Sequence, residues 1–226
     1  MLYEGKGISP VGEYYLHNNV LVLIKDPLPE EINIQYILEY VEKKVPFHLV
    51  YEVDSIYIGQ FDEFEERQIN SFYRDGAIFV TNYQSSKEDL IDDIVHEIAH
   101  AVEEQHSVSI YGDRTVEEEF LGKRRRLYDL LIANELISDT GALRKQFATI
   151  KYTKRLDDVL YKEIGYPTLS SLTQGLFTNP YAITSLREYF ASAFELYFLG
   201  EKTYLQKISP KVYYKMNILE EINSEG

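Results

Sequence analysis

The chain has 226 residues, of which 45% are apolar and 27% are charged, and its formal net charge is −14. This composition predicts a folded globular protein with a substantial core and excludes an intrinsically disordered chain. The acidic balance argues against a nucleic-acid partner, because the one cluster of basic residues is "GKRRR" at 122–126, which we interpret as a solvated helix face.

The cysteine content, the hydropathy and the first residues exclude further classes of protein. The chain has no cysteine, so disulfides and thiolate ligands are excluded, and a tightly bound metal ion would need histidine and carboxylate ligands. The start of the chain, "MLYEGKGISPVGEYY", lacks the basic residues and apolar run of a secretory signal, and no stretch reaches membrane-spanning length. We therefore expect synthesis without a secretory signal and no membrane partner. Neither the compartment nor the oligomeric state follows from the residues.

Residues 19–82 alternate strand patterns with one helical pattern. A helix is predicted over 29–45, with Pro29 at its start. Runs of apolar and aromatic residues predict four strands: "NVLVLIKD" at 19–26, "FHLVYEV" at 47–53, "SIYIGQF" at 55–61 and "GAIFVTN" at 76–82. A capping box of Ser85 with Glu88 then opens a helical pattern that extends to residue 107.

The second half of the sequence is dominated by helical patterns. They begin with "TVEEEFLGKRRRLYDLLIANELISD" at 115–139 and continue towards the end of the chain, without repeats or a low-complexity linker. Because strands and helices are segregated along the chain, their order predicts an α+β fold. We expect a single domain over 1–226, with a lobe of sheet and one long helix over 1–107 and a helical lobe over 108–226.

The segment "DDIVHEIAHAVEE" at 92–104 combines an apolar stripe with two histidines. On a helix, His96 and His100 lie about 40° apart and nearly opposite the stripe. Because side chains four residues apart stack one turn apart, both imidazoles can bind one metal ion, and Glu97 can act on a water molecule at that ion. The H-E-x-x-H pattern predicts a catalytic zinc site with Glu97 as general base. The stripe itself spans about 140°: Leu90, Ile91, Ile94, Val95, Ile98, Ala101 and Val102.

The other polar side chains near this motif receive structural interpretations. We interpret Asp93, three residues before His96, as a surface carboxylate, with hydrogen bonding to a histidine ligand as the alternative. His106 is expected near the helix end, where its charge complements the C-terminal dipole. His17 and His48 lack ligand spacing and are also interpreted as structural.

A catalytic zinc ion usually has three protein ligands, so a carboxylate must complete the site. One candidate segment is "SLREYFASAFELYFLG" at 185–200, where Glu188 and Glu195 project from nearly the same side of a largely apolar helix. A buried carboxylate needs a cation or hydrogen-bond donors. Glu188 and Glu195 are two turns apart, so both could not bind the same ion. The alternative for Glu188 is a capping box with Ser185.

A second candidate segment is "ANELISD" at 133–139. It resembles the thermolysin-like N-E-x-x-S-D element, in which the glutamate binds zinc and the aspartate supports a histidine ligand. Those residues would be Glu135 and Asp139. The alternative is an ordinary helix end, because Asn, Ser and Asp all suit helix termini and turns. From the residues alone, Glu188 and Glu135 both remain candidates.

Three segments together resemble a known family: "HEIAHAV", "YAITSLREYFASAFELYF" and "PKVYYKMNIL". They are similar to the catalytic domain of anthrax lethal factor and the related Pro-Pro endopeptidases, a branch of the glutamate-ligand zincins. In that family a tyrosine lies seven residues before the ligand glutamate, as Tyr181 does before Glu188, and an F-A-x-A-F-like run follows, as in "FASAF" at 190–194. The 87 residues between His100 and Glu188 exceed the family's usual gap.

The resemblance, which covers roughly residues 70–222, implies a fold, a metal site and an activity. The fold is zincin-like, with a small mixed sheet, an active-site helix and a mostly helical C-terminal lobe. One zinc ion is held by His96, His100 and Glu188, with Glu97 as general base and Tyr181 as donor to the developing oxyanion.

The activity that the resemblance implies is that of a zinc endopeptidase. A metal-activated water molecule would hydrolyse a peptide bond of a peptide or protein substrate. The substrate would pair along "GAIFVTN", which is expected to be the edge strand of the sheet. The alternative is a non-catalytic zincin-fold module that binds a partner or serves a structural role in a larger assembly.

Overall fold

The computed structural model describes residues 11–67 and 69–222, which divide into two compact units. The first unit contains the described residues up to Gln105 together with Ile222, and the second contains His106–Glu221. The expectation of a single domain with lobes at 1–107 and 108–226 stays a prediction. The N-terminal segment, in which the sequence shows no secretory signal, lies mostly outside the described residues, because these begin at residue 11.

Five short strands of the first unit form one mixed sheet. They are β1 (Gly12–Leu16), β2 (Val20–Ile24), β3 (Ser55–Ile58), β4 (Ser71–Arg74) and β5 (Ala77–Val80). Their order is β1-β2-β3-β5-β4, in which β2, β3 and β5 are parallel, and β1 and β4 are antiparallel to their neighbours. In the middle of the sheet, Ile56 pairs with Val22 on one side and with Ile78 on the other, and all three are buried.

The strands predicted within 19–26, 55–61 and 76–82 are confirmed as β2, β3 and β5. The edge position expected for "GAIFVTN" is wrong, because β5 lies between β3 and β4. A hairpin places β4 outside β5. It turns at Asp75 and Gly76, whose φ values of 50° and 82° are the positive values that a two-residue type I′ turn requires. The edge strand on this side of the described sheet is therefore β4, and the opposite edge is β1.

The helix predicted from Pro29 begins later, as α1 (Ile34–Lys44). Its cap is Asn33, whose side-chain oxygen accepts a hydrogen bond from the Tyr36 amide at 3.1 Å. Asparagine is a strong capping residue because its side chain satisfies an amide that has no partner within the helix. The predicted start at Pro29 was therefore wrong, whereas the predicted helix itself is confirmed.

The strand predicted at 47–53 was wrong, because this segment forms the short helix α2 (Phe47–Val50). The Leu49 amide donates to the Pro46 carbonyl at 3.0 Å, and the adjacent residues Leu49 and Val50 are both buried. Burial of neighbouring residues is incompatible with the strict alternation of a half-buried strand. A third helix, α3 (Asp62–Arg67), follows β3.

The long helix α4 (Lys87–Tyr111) carries the two histidines of the H-E-x-x-H motif. It begins one residue later than the predicted capping box, because the Ser86 hydroxyl accepts from the Asp89 amide at 3.1 Å. Its backbone leaves the helical region at His106, with φ −104° and ψ 18°. The predicted apolar stripe is buried throughout: Leu90, Ile91, Ile94, Val95, Ile98, Ala101 and Val102.

The second unit is helical in its described residues. Its α-helices are α5 (Thr115–Ala133), α6 (Gly141–Phe147), α7 (Lys154–Asp158), α8 (Tyr166–Leu172), α9 (Leu186–Leu199), α10 (Lys202–Ile208) and α11 (Pro210–Glu221). A π-helical turn, Val159–Ile164, joins α7 to α8, and a 3₁₀ helix, Tyr181–Ile183, precedes α9.

Helix α9 is the centre of the second unit, where it packs against α5, α10, α11 and the 3₁₀ helix. The apolar character predicted for 185–200 is confirmed, because Phe190, Ala191, Ala193 and Phe194 are all 0% exposed. Aromatic rings continue this core, with Phe194 and Phe198 centroids 4.5 Å apart. Such burial fixes the position of the first turn of α9.

The architecture confirms the predicted α+β class, with a small mixed sheet in the first half and helices in the second. Within the described part of the chain, no helix combines the length and the apolar character that crossing a bilayer requires.

Candidate metal centre and active site

Two histidines occupy successive turns of α4. The ring centroids of His96 and His100 are 4.8 Å apart, as expected for side chains four residues apart on one helical face. His100 is 6% exposed. The Glu103 carboxylate lies 3.7 Å from its Nδ1, on the side where outer carboxylates commonly orient histidine ligands of a metal ion. Sequence analysis missed Glu103.

Glu97 lies beside these histidines and is 3% exposed. Its Oε1 accepts a hydrogen bond of 2.6 Å from the Ser71 hydroxyl on β4. Its Oε2 is buried and has no hydrogen-bond partner. A buried carboxylate oxygen without a donor costs free energy, and such atoms are rare in folded proteins. The arrangement suits a group that accepts a proton from a water molecule during a reaction.

Glu188 occupies the first turn of α9. The Ser185 hydroxyl accepts from the Glu188 amide at 3.1 Å, so Ser185 caps the helix as one half of the predicted capping box. The Glu188 side chain is half-buried. Burial raises the pKa of Tyr166 to about 12, and nearby negative charges that include Glu188 add to the effect.

The structure brings three predicted ligands together. His96, His100 and Glu188 each offer one ligand atom, and these atoms lie within 4.8 Å of one another. Two imidazole nitrogens and one carboxylate oxygen are a donor set of three-ligand catalytic zinc sites, which keep a further position open. The three residues therefore fit a zinc ion by the chemistry of their donor atoms. Glu97, which is next to His96 in the sequence, also fits such a site, because its buried Oε2 has no hydrogen-bond partner.

The competing carboxylates are placed differently. Glu135 is exposed just beyond the C-terminal end of α5, with a positive φ of 57°. Asp139 accepts hydrogen bonds from Tyr128 at 2.6 Å and from Arg144. Among the described residues, the group of clustered ligand atoms contains neither Glu135 nor Glu195. These positions favour Glu188, and the identity of the third ligand stays a prediction.

Tyr181 begins the 3₁₀ helix and is 40% exposed. Its carbonyl accepts from the amide and the hydroxyl of Thr184, at 3.0 Å and 2.8 Å. The end of the same turn is held by Arg124 of α5, which donates to the Ile183 carbonyl at 2.9 Å and to the Thr184 carbonyl at 3.1 Å. Side-chain and backbone hydrogen bonds thus fix the segment that carries Tyr181.

Comparison with known families adds one finding. The model of the family described as "Anthrax toxin lethal factor, N- and C-terminal domain" matches residues 75–219. The chain belongs to this family. The match spans both the H-E-x-x-H motif and Glu188. Comparisons with the curated proteins and with the solved structures gave no match.

Three further residues of this lethal factor family member had structural interpretations from the sequence: Asp93, His17 and His106. Asp93 accepts from the Gln84 side chain at 2.9 Å. The His17 ring nitrogen lies 3.0 Å from the Val45 carbonyl, which accords with a structural role. The helical backbone is interrupted at His106, which accords with its predicted position near a helix end, and its contact with the helix dipole stays a prediction.

The interpretation of "GKRRR" as a solvated face was also wrong for half of its cations. Lys123 is 8% exposed and Arg124 is 0% exposed, whereas Arg125 and Arg126 are exposed. Burial lowers the pKa of Arg124 to about 9. Sequence analysis missed this buried pair because the run has no apolar residue between its charges, and only the packing of α5 separates a buried from an exposed cation.

Proposed function

We propose that this lethal factor family member is a zinc-dependent endopeptidase. In this proposal His96, His100 and Glu188 hold one zinc ion, with Glu97 as general base. The observation that carries the proposal is the clustering of the three ligand atoms. The partnerless Oε2 of the buried Glu97 adds support, because a structural metal site has no need of such an atom.

The chain's own groups supply the proton transfers. The chemistry that zinc supplies when bound is Lewis acidity, which lowers the pKa of a water molecule and polarises a carbonyl group. Glu97 takes one proton from the attacking water and delivers it to the amide nitrogen. The water oxygen bonds to the carbonyl carbon, the C–N bond breaks, and the products are a carboxylic acid, which keeps the second proton of the water until it passes to the amine, and an amine. Tyr181 donates a hydrogen bond to the oxygen that becomes negative.

The exposed sheet edge and the family both support a peptide or protein as the proposed substrate. An extended peptide can add to an exposed strand edge, where main-chain hydrogen bonds give affinity. We place this pairing on β4, because β5 has strands on both sides. The competing function is a binding or structural module, which would need neither Glu97 as a base nor Tyr181 as a donor.

Cleavage of a peptide library, with and without a zinc chelator, tests the proposed function. We expect cleavage that stops with the chelator and returns when zinc is added back. The matched control is Glu97→Gln, which should bind zinc at the same stoichiometry and cleave nothing detectable. Zinc binding without any chelator-sensitive cleavage would instead support the structural module. Full activity of Glu97→Gln would remove Glu97 from the role of base.

A further inference from the structure

The Ser71 hydroxyl is the one hydrogen-bond donor to Glu97 in the described structure, and it donates to Oε1 at 2.6 Å. This distance is typical of a charge-assisted O–H···O⁻ hydrogen bond, which is about twice as strong as one between neutral groups. Because Oε1 is engaged, the two carboxylate oxygens are not equivalent. Oε2 is left as the oxygen that can accept a proton.

The position of Ser71 is set by main-chain hydrogen bonds. Ser71 is the first residue of β4 and pairs with Val80 of β5. Next to this pair, the Thr81 amide donates to the Asn70 carbonyl at 2.8 Å. The hydroxyl therefore extends from a hydrogen-bonded ladder, which holds a side chain more firmly than a loop does.

The terminal torsion of a glutamate side chain is broad, so a carboxylate without a fixed contact samples many orientations. A general base must keep one oxygen within hydrogen-bond reach of the proton that it takes. A hydrogen bond from a single donor to Oε1 restricts this torsion and so fixes the direction in which Oε2 points. Ser71 can thus limit the loss of orientation that would otherwise slow proton transfer.

We propose that Ser71 is a positioning residue, whose hydroxyl holds Oε1 of Glu97 so that Oε2 takes the proton from water. This inference rests on the proposed endopeptidase function. It assigns to the edge strand β4 a role in orienting the base, in addition to any pairing with substrate.

Two variants of equal shape isolate the hydroxyl. Ser71→Thr keeps the donor, and Ser71→Val has the same branched shape without it; both residues suit a strand. We expect kcat of Ser71→Val to fall by about tenfold to a hundredfold, the usual effect of losing a hydrogen bond to a charged group. KM and zinc content should not change, and Ser71→Thr should stay within about threefold of the wild type.

A second measurement does not depend on activity. Urea unfolding of the metal-free protein should show an unfolding constant about tenfold larger for Ser71→Val than for Ser71→Thr, because the buried carboxylate loses its donor. In a Glu97→Met background this difference should vanish, since the acceptor is absent. A difference that persists there would overturn the Ser71–Glu97 interaction.

The outcomes separate the two proposals. If the wild type cleaves peptides and Ser71→Val is as fast as Ser71→Thr, the positioning role is overturned and the endopeptidase proposal stands. If the unfolding experiments show the interaction but the wild type cleaves nothing, the endopeptidase proposal fails. Ser71 would then be a structural contact of Glu97, and its positioning role would be overturned as well.

Discussion

Glu97 has a carboxylate whose two oxygens have different surroundings. One accepts from Ser71, whereas the other is buried without a donor. In water both oxygens would be hydrated, so the fold bears a free-energy cost at Oε2 that no described contact offsets. Such atoms are rare in natural proteins, and a catalytic role or a bound ion is among the explanations for them. Together with the clustered nitrogens of His96 and His100, this atom distinguishes α4 from an ordinary charged helix.

The choice between Glu188 and Glu135 can be decided by metal analysis. We expect Glu188→Gln to weaken zinc affinity by more than about a hundredfold, because it removes a ligand rather than an outer contact. Glu135→Gln is the matched control and should bind zinc as the wild type does. The measurement is the zinc content after dialysis against a weak competing chelator. Loss of zinc from Glu135→Gln, with retention in Glu188→Gln, would reverse the assignment.

The elements before α9 are organised around one buried cation. The Arg124 guanidinium donates to carbonyls of the 3₁₀ helix, Ile183 and Thr184, and to the carbonyls of Gln146 and Thr149. Close to these groups, the Leu186 amide donates to the Ile150 carbonyl at 2.8 Å. Carbonyl oxygens can offset the burial of a cation in place of a carboxylate partner. Arg124 thus connects α5, the loop after α6 and the segment that carries Tyr181.

Removal of this cation should loosen the segment. We expect Arg124→Met to lower the free energy of unfolding by about 3 kcal/mol, because methionine fills much of the volume but leaves several buried carbonyls without a donor. The control is Arg125→Met on the exposed face of the same helix, which should change stability by less than about 0.5 kcal/mol. Urea unfolding measures both. Equal stability of the two variants would contradict the role given to Arg124.

For the whole molecule, local sequence patterns predicted individual helices better than they predicted which distant residues come into contact. The amphipathic helix with His96 and His100 followed from periodicity, and the apolar α9 with Glu188 followed from composition. The β4–β5 hairpin was missed, although Asp75–Gly76 is a strong turn signal, and Ser71 was missed with it. No local signal marks a serine as the partner of a distant glutamate. The buried members of "GKRRR" were missed because tertiary packing, not sequence spacing, determines which charges are buried.

Burial of a second cation makes overall stability depend on pH. Lys123 donates to the Ser209 hydroxyl and lies 4.9 Å from the centroid of the Tyr189 ring. Burial lowers the pKa of Lys123 from 10.5 to about 8, and the negative charge of Glu119 partly opposes the shift. Burial first, and then Glu119, raise the pKa of Tyr189 well above its ordinary value. The Tyr189 hydroxyl therefore keeps its proton in the range where Lys123 titrates.

Stability should therefore increase as Lys123 loses its proton. Between pH 8 and pH 10.5 the unfolded chain binds more protons than the folded one, so the free energy of unfolding rises with pH. Below pH 8 both states are protonated, and the cost of burying the cation is present in full. Relative to Lys123→Met, the wild type should gain about 2 kcal/mol between about pH 8 and pH 10. Urea unfolding at several pH values measures this difference, and a constant difference would show that Lys123 keeps its ordinary pKa in the folded protein.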